Sequence, residues 1–174
     1  MSNPPNPAGG SGQPNPQVEQ AKQMWNNLSR GRQIGLVGAV VGLIATFLPW
    51  YGISAGSFGS NSWSAWGGGI WSLLAILSLL VGGAVILTPL LMGPNKTVRG
   101  MIPSLPPTVT DARIVLGAGV AVVVFTLLFI VTSGHSSADS AGISISAGPS
   151  FGAYVAIICG AAIAYAGYTL QSEV

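Results

Sequence analysis

Side chains able to do chemistry are few in this 174-residue chain, and they lie far apart. His135, its one histidine, precedes Asp139 by four residues, and the two could share a metal ion. A usable metal site needs three or four ligands, and no further candidate lies near them in the sequence. The surrounding Ser/Gly-rich stretch reads instead as a solvated polar loop. Cys159, the one cysteine, sits in an apolar run where a thiol behaves as a small hydrophobe, and alone it forms no intramolecular disulfide. With histidine in a loop and cysteine in an apolar run, no nucleophile and base come together. No Gly-Lys-Ser/Thr loop is present to cradle phosphate. Pro103-Ser-Leu-Pro106 satisfies the PxxP pattern formally, but a loop with four prolines matches it by accident. The expectation is a chain with no enzymatic activity, no cofactor and no metal.

The elements that would position these residues follow from composition. Only 6% of residues are charged, against about 25% in a soluble domain, and 49% are hydrophobic. Long apolar runs select helices, because hydrocarbon offers backbone groups no hydrogen bonds. The predicted fold is an all-α membrane protein: four transmembrane helices in a bundle, spanning about 34–51, 68–92, 112–132 and 151–170. A disordered Pro/Asn/Gly-rich leader (1–17) and a basic amphipathic interfacial segment (18–33) precede it, and a polar tail (171–174) follows. The stretches 51–66 and 133–150 read as outer loops. Ser54-Ala-Gly-Ser-Phe-Gly59 resembles Ser146-Ala-Gly-Pro-Ser-Phe-Gly152, which would suit a duplicated hairpin. No Asp, Glu, Lys, Arg or His lies within 34–50, 68–92, 114–132 or 151–170, which excludes pumps and ion-coupled transporters.

Small residues and aromatics are the remaining candidates for function. Gly31, Gly35, Gly38 and Gly42 form one stripe with two GxxxG pairs, and Gly152, Gly160 and Gly167 form another suited to nesting against it. In the third span Gly117 and Ala121 are a small pair. The first stripe could receive a partner protein's helix or this chain's own second or fourth span. Trp50, Tyr51, Trp63, Trp66 and Trp71 fit an interfacial aromatic belt; a sugar- or lipid-binding surface is the sharper alternative.

All six cations, Lys22, Arg30, Arg32, Lys96, Arg99 and Arg113, flank the first span or the loop between the second and third. Cations stay cytoplasmic, so both termini are expected inside a plasma membrane. Cations set beside spans give orientation and not a nucleic-acid surface, so no nucleic-acid partner is expected. The polar leader, Leu48-Pro49-Trp50 and the aromatic, uncharged first outer loop resemble a loose group of small four-span membrane proteins of actinobacteria. That resemblance implies an accessory or scaffolding subunit of an envelope or lipid-transport assembly, and it assigns no functional residues. Expected partners are the lipid bilayer and other membrane subunits or further copies of the chain. The rival expectation is a small oligomeric channel or permease for neutral solutes, lined by uncharged polar side chains.

Overall fold

The computed structural model describes residues 15–56, 59–93, 97–102, 106, 108–140 and 143–172. Residues 1–14 of the expected leader, Lys96 and most of the PxxP motif lie outside them. The chain is mostly helical and carries a small sheet that the sequence reading lacks.

Helix α1, Pro16–Asn26, begins inside the expected leader and is followed by α2, Arg30–Ala45. Arg30 to Gln33, expected within the segment 18–33, already belong to α2. Ser29 explains the break: it is the N-cap of α2, its hydroxyl oxygen 3.5 Å from the Arg32 amide. Helix α2 also ends early. Phe47 and Leu48 donate to the carbonyls three residues back at 3.1 and 3.2 Å, which tightens the last turn. Pro49 has no N–H to continue it and pushes Leu48 away from helical dihedrals. Pro49, Trp50 and Tyr51, expected as the outer end of the first span, instead open strand β1, Pro49–Ser54.

Strand β1 turns back into β2, Ser60–Ser64, and a 3-10 turn over Ala65–Gly67 leads to α3, Ile70–Met92. Pro89 lies in the last turn of α3. A four-residue helix α4, Val98–Met101, precedes α5, Asp111–Ser133, which Thr110 caps. A second hairpin, β3 Ser136–Ser140 and β4 Ile143–Pro149, leads into α6, Phe151–Gln171. The two hairpins join through β1 and β4, giving an antiparallel sheet of order β2-β1-β4-β3. Both expected outer loops are thus strands. Their pairing contradicts a simple duplication: copied hairpins would place β1 and β3 in equivalent positions, whereas the inner strands are β1 and β4.

Helices α3, α5 and α6 are each long and apolar enough to cross a membrane, whereas α2 has 16 residues. Helix α6 packs between α2 and α5, and α3 packs against α5 and α2, closing a ring of four. One core cluster gathers Leu79, Ile86, Val115, Val122 and Ile163; a second, under the sheet, gathers Trp50, Ile76, Phe129 and Ala153. The outward faces are apolar as well: Val40, Ile44, Phe47, Leu77, Val131 and Ile158 are all exposed. Water tolerates no such continuous surface, whereas hydrocarbon does.

Candidate functional site

Each small-residue stripe has its own partner. Gly31, Gly35, Gly38 and Gly42 are all buried. A Cβ on Gly31 would strike Thr169, one on Gly35 would lie 2.6 Å from Ala166 Cβ, and one on Gly38 would lie 3.0 Å from Ala162 Cβ. A Cβ on Gly42 would lie 2.6 Å from Leu79 Cδ1. Along its whole length the stripe is occupied by this chain's own α6 and α3. The α6 glycines do not answer it. A Cβ on Gly160 would meet Val122 at 2.9 Å and the Gly119 carbonyl at 3.1 Å, and one on Gly167 would strike the Leu116 backbone. Helix α6 therefore offers Cys159, Ala162 and Ala166 to α2, and on its neighbouring face offers Gly160 and Gly167 to α5.

The sequence reading missed Gly119, where a side chain would run into the backbone of Ala164 and Gly160. It pointed to Gly117, which has nothing within 4 Å. A signal was available: Ala112, Val115, Gly119, Val122, Thr126 and Phe129 recur at three and four, and all are buried.

At the sheet end of the bundle the five aromatics divide. Trp50 is 1% exposed, so it belongs to the core and not to a belt. Its indole N–H donates to the Ala45 carbonyl at 2.8 Å, an acceptor it shares with the Leu48 amide at 3.2 Å where α2 stops. Its ring meets Phe129 edge-on at 5.5 Å and fills the space left by Gly152, where a Cβ would come within 2.5 Å of Cδ1. Its carbonyl accepts the Ser150 amide at 2.8 Å. One residue thus ties α2, α5 and the start of α6 together. Trp63 pairs with half-buried Tyr51 at 6.2 Å and Trp66 with Phe47 at 6.1 Å, both tryptophans remaining exposed. Half-buried Trp71 stacks on Phe125 at 6.3 Å.

No family model, curated protein or solved structure matches this chain. Chemistry must be judged from the geometry. Thr46, Ser78, Thr88 and Thr126 each donate to a carbonyl of their own helix at 2.7 to 2.9 Å, and Ser72 donates to Ala65 at 2.6 Å. None of the five is aimed into a path. Among the described residues, the void within the bundle lined by Gly42, Thr46, Trp50, Leu79 and Val122 is about 10 Å³, too small to carry a solute.

Larger hollows lie on the surface. The first, about 480 Å³, is the uncharged polar face of the sheet, with Ser54, Asn61, Ser146 and His135 around it. The His135 ring lies against Gly148, where a Cβ would come within 3.0 Å. Asp139's side chain lies outside the described residues, and among those described no three His, Cys, Asp or Glu residues gather. The second, about 410 Å³, is an apolar groove between α2 and α6, with Trp25 of α1 at one end.

Proposed function

We propose that the chain is a non-catalytic four-span protein of the plasma membrane, with both termini cytoplasmic, serving as an accessory or scaffolding subunit of a larger membrane complex. The observation that carries this is the joined sheet: four strands from two separate segments make one Ser-rich platform, with Asp139 its one acidic residue, at the end of a ring of helices whose described interior void is only about 10 Å³. Helix α2 is the fourth span in this reading. With its tightened last turn it reaches Leu48, so its apolar part from Ile34 rises about 21 Å, short of a hydrocarbon core of about 30 Å, and Arg30 and Arg32 at its foot can snorkel to close the difference. Ile34, Val37, Val41, Ile44 and Phe47 face outward along it.

Strands β2 and β3 are the sheet's edges, and their Ser-rich backbones offer a partner subunit hydrogen bonds. Exposed Trp63 and Trp66 beside them suit the headgroup level or the rim of a contact. The resemblance to small actinobacterial four-span proteins favours an envelope or lipid-transport assembly. Mild-detergent purification followed by mass spectrometry tests the reading. A stoichiometric larger subunit is expected, retained through the platform and lost when Ser62 and Ser137 are both changed to Pro. A homo-oligomer conducting neutral solute in liposomes would favour the rival channel reading, whose path would have to lie between copies.

A further inference from the structure

We propose that the groove between α1, α2 and α6 holds one anionic phospholipid of the cytoplasmic leaflet, with its phosphate between Lys22 and Arg30 and an acyl chain along Val37 and Val41. The proposal rests on the reading that α2 and α6 cross the bilayer with the termini inside. Trp25, Ile34, Val37, Val41, Ile158 and Ala162 line the groove, and its depth comes from Gly38 beneath them. Along α2, Arg30, Ile34, Val37 and Val41 follow at intervals of four, three and four, so they share one face with the cation at its foot. On α1, Lys22 precedes Trp25 by three residues and is exposed. The rise from Ile34 to Val41 is about 10 Å, most of a hydrocarbon half-layer of about 15 Å.

The end of α1 is held in place over this groove. Gln33 Nε2 donates to the Trp25 carbonyl at 2.8 Å and to the Leu28 carbonyl at 3.4 Å, clamping the turn that carries the indole. Over α1 and α2 the charged residues are Lys22, Arg30 and Arg32 against one carboxylate, Glu19, so this foot is positive and complements a phosphate. A second copy would bring the same cations against these, which disfavours self-association here. A partner's transmembrane helix would need an open seam across the bilayer, and Trp25 closes this one at its inner end.

The test uses the full chain in bilayers containing phosphatidylglycerol or phosphatidylcholine brominated in the acyl chains, since bromine quenches a tryptophan that it touches. Trp25's share is the difference between the unaltered chain and Trp25→Phe. Quenching should favour phosphatidylglycerol by roughly five-fold for each cation in reach, and the preference should vanish in Lys22→Gln/Arg30→Gln. Equal quenching of Trp25 by both lipids would overturn the proposal in favour of ordinary boundary lipid. Quenching of Trp63 and Trp66 with none at Trp25 would overturn it in favour of a protein segment in the groove. No quenching of any tryptophan would remove the spanning reading, and the proposal with it.

Discussion

Replacing Trp50 with phenylalanine removes one hydrogen bond and part of one ring while leaving an aromatic face for Phe129. The structure sets the cost. The Ala45 carbonyl loses its 2.8 Å donor and keeps the Leu48 amide at 3.2 Å, at a place where Trp50 is 1% exposed. Losing one such hydrogen bond costs about 0.5–1.5 kcal/mol, and the missing part of the indole leaves a small void against Gly152 that adds to it. Trp50→Phe should therefore destabilise the bundle by about 1–3 kcal/mol, and Trp50→Ala, which also removes the contact with Phe129, by about 3–5 kcal/mol. Trp66→Ala is the control. Its side chain is 50% exposed, and its loss should cost about 0.5 kcal/mol or less. Reversible unfolding in mixed micelles of mild detergent and dodecyl sulfate measures all three. Equal costs for Trp50→Phe and Trp66→Ala would show that Trp50 belongs to an interfacial belt after all, and the account of the outer end would fail.

Three further outcomes follow from the same coordinates. Gly119→Leu should disrupt the α5–α6 seam by 3 kcal/mol or more, roughly the upper range for overpacking, because the obstacle is backbone of Ala164 and Gly160; Gly117→Leu, opening on free space, should lie within about 0.5 kcal/mol of the unaltered chain. Similar effects at the two sites in micelle unfolding would discard the assigned face of α5. Gly38→Leu combined with Gly42→Leu should separate α2 from α6 and α3, read as lost thermal stability in detergent; an unchanged melting curve would take the stripe out of the core. In a Cys159→Ala background, single cysteines at Ser60 and Ser137 should react with an impermeant thiol reagent on intact cells while one at Thr108 is protected. Labelling at Thr108 alone would invert the topology, and a mixed pattern would reject four spans.

What was legible in the sequence depended on how strongly each residue's role is written in its neighbours. The apolar runs announced α3, α5 and α6 because length and the absence of charge suffice for a spanning helix. Strands β1 to β4 were not announced. Their residues are mostly Ser, Gly, Ala and Asn, which carry little β-propensity, and β1 pairs with β4 across some ninety residues of chain. Gly52 opposite Gly148 and Ser54 opposite Ser146 match only when the two hairpins are already side by side. Trp50 misled for a related reason. Tryptophan after Pro49 at a span's end has the composition of a belt residue, and nothing local says that Gly152, about a hundred positions on, leaves room to bury it.

The glycines carry the same lesson into function. A stripe of small residues states that something comes close, and it leaves open what does. Here Gly31 to Gly42 are used up by α6 and α3, and Gly160 and Gly167 by α5, so neither stripe is left for a partner's helix. The surfaces free for partners lie where the stripes are not: on the platform, whose edges are β2 and β3, and in the groove that Gly38 deepens but does not fill. The platform lies at one end of the helices, and the groove runs along α2 and α6 from Trp25 to Val41. Because β1 continues from α2 and β4 runs into α6, a subunit bound to the platform would pull on the two helices that also wall the groove. The α2–α6 seam is one route between the two ends, so a substitution there such as Gly38→Ala, whose Cβ would lie 3.0 Å from Ala162 Cβ, should change lipid preference at Trp25 while the Lys22 and Arg30 charges stay intact; an unchanged preference would show that the seam does not couple them.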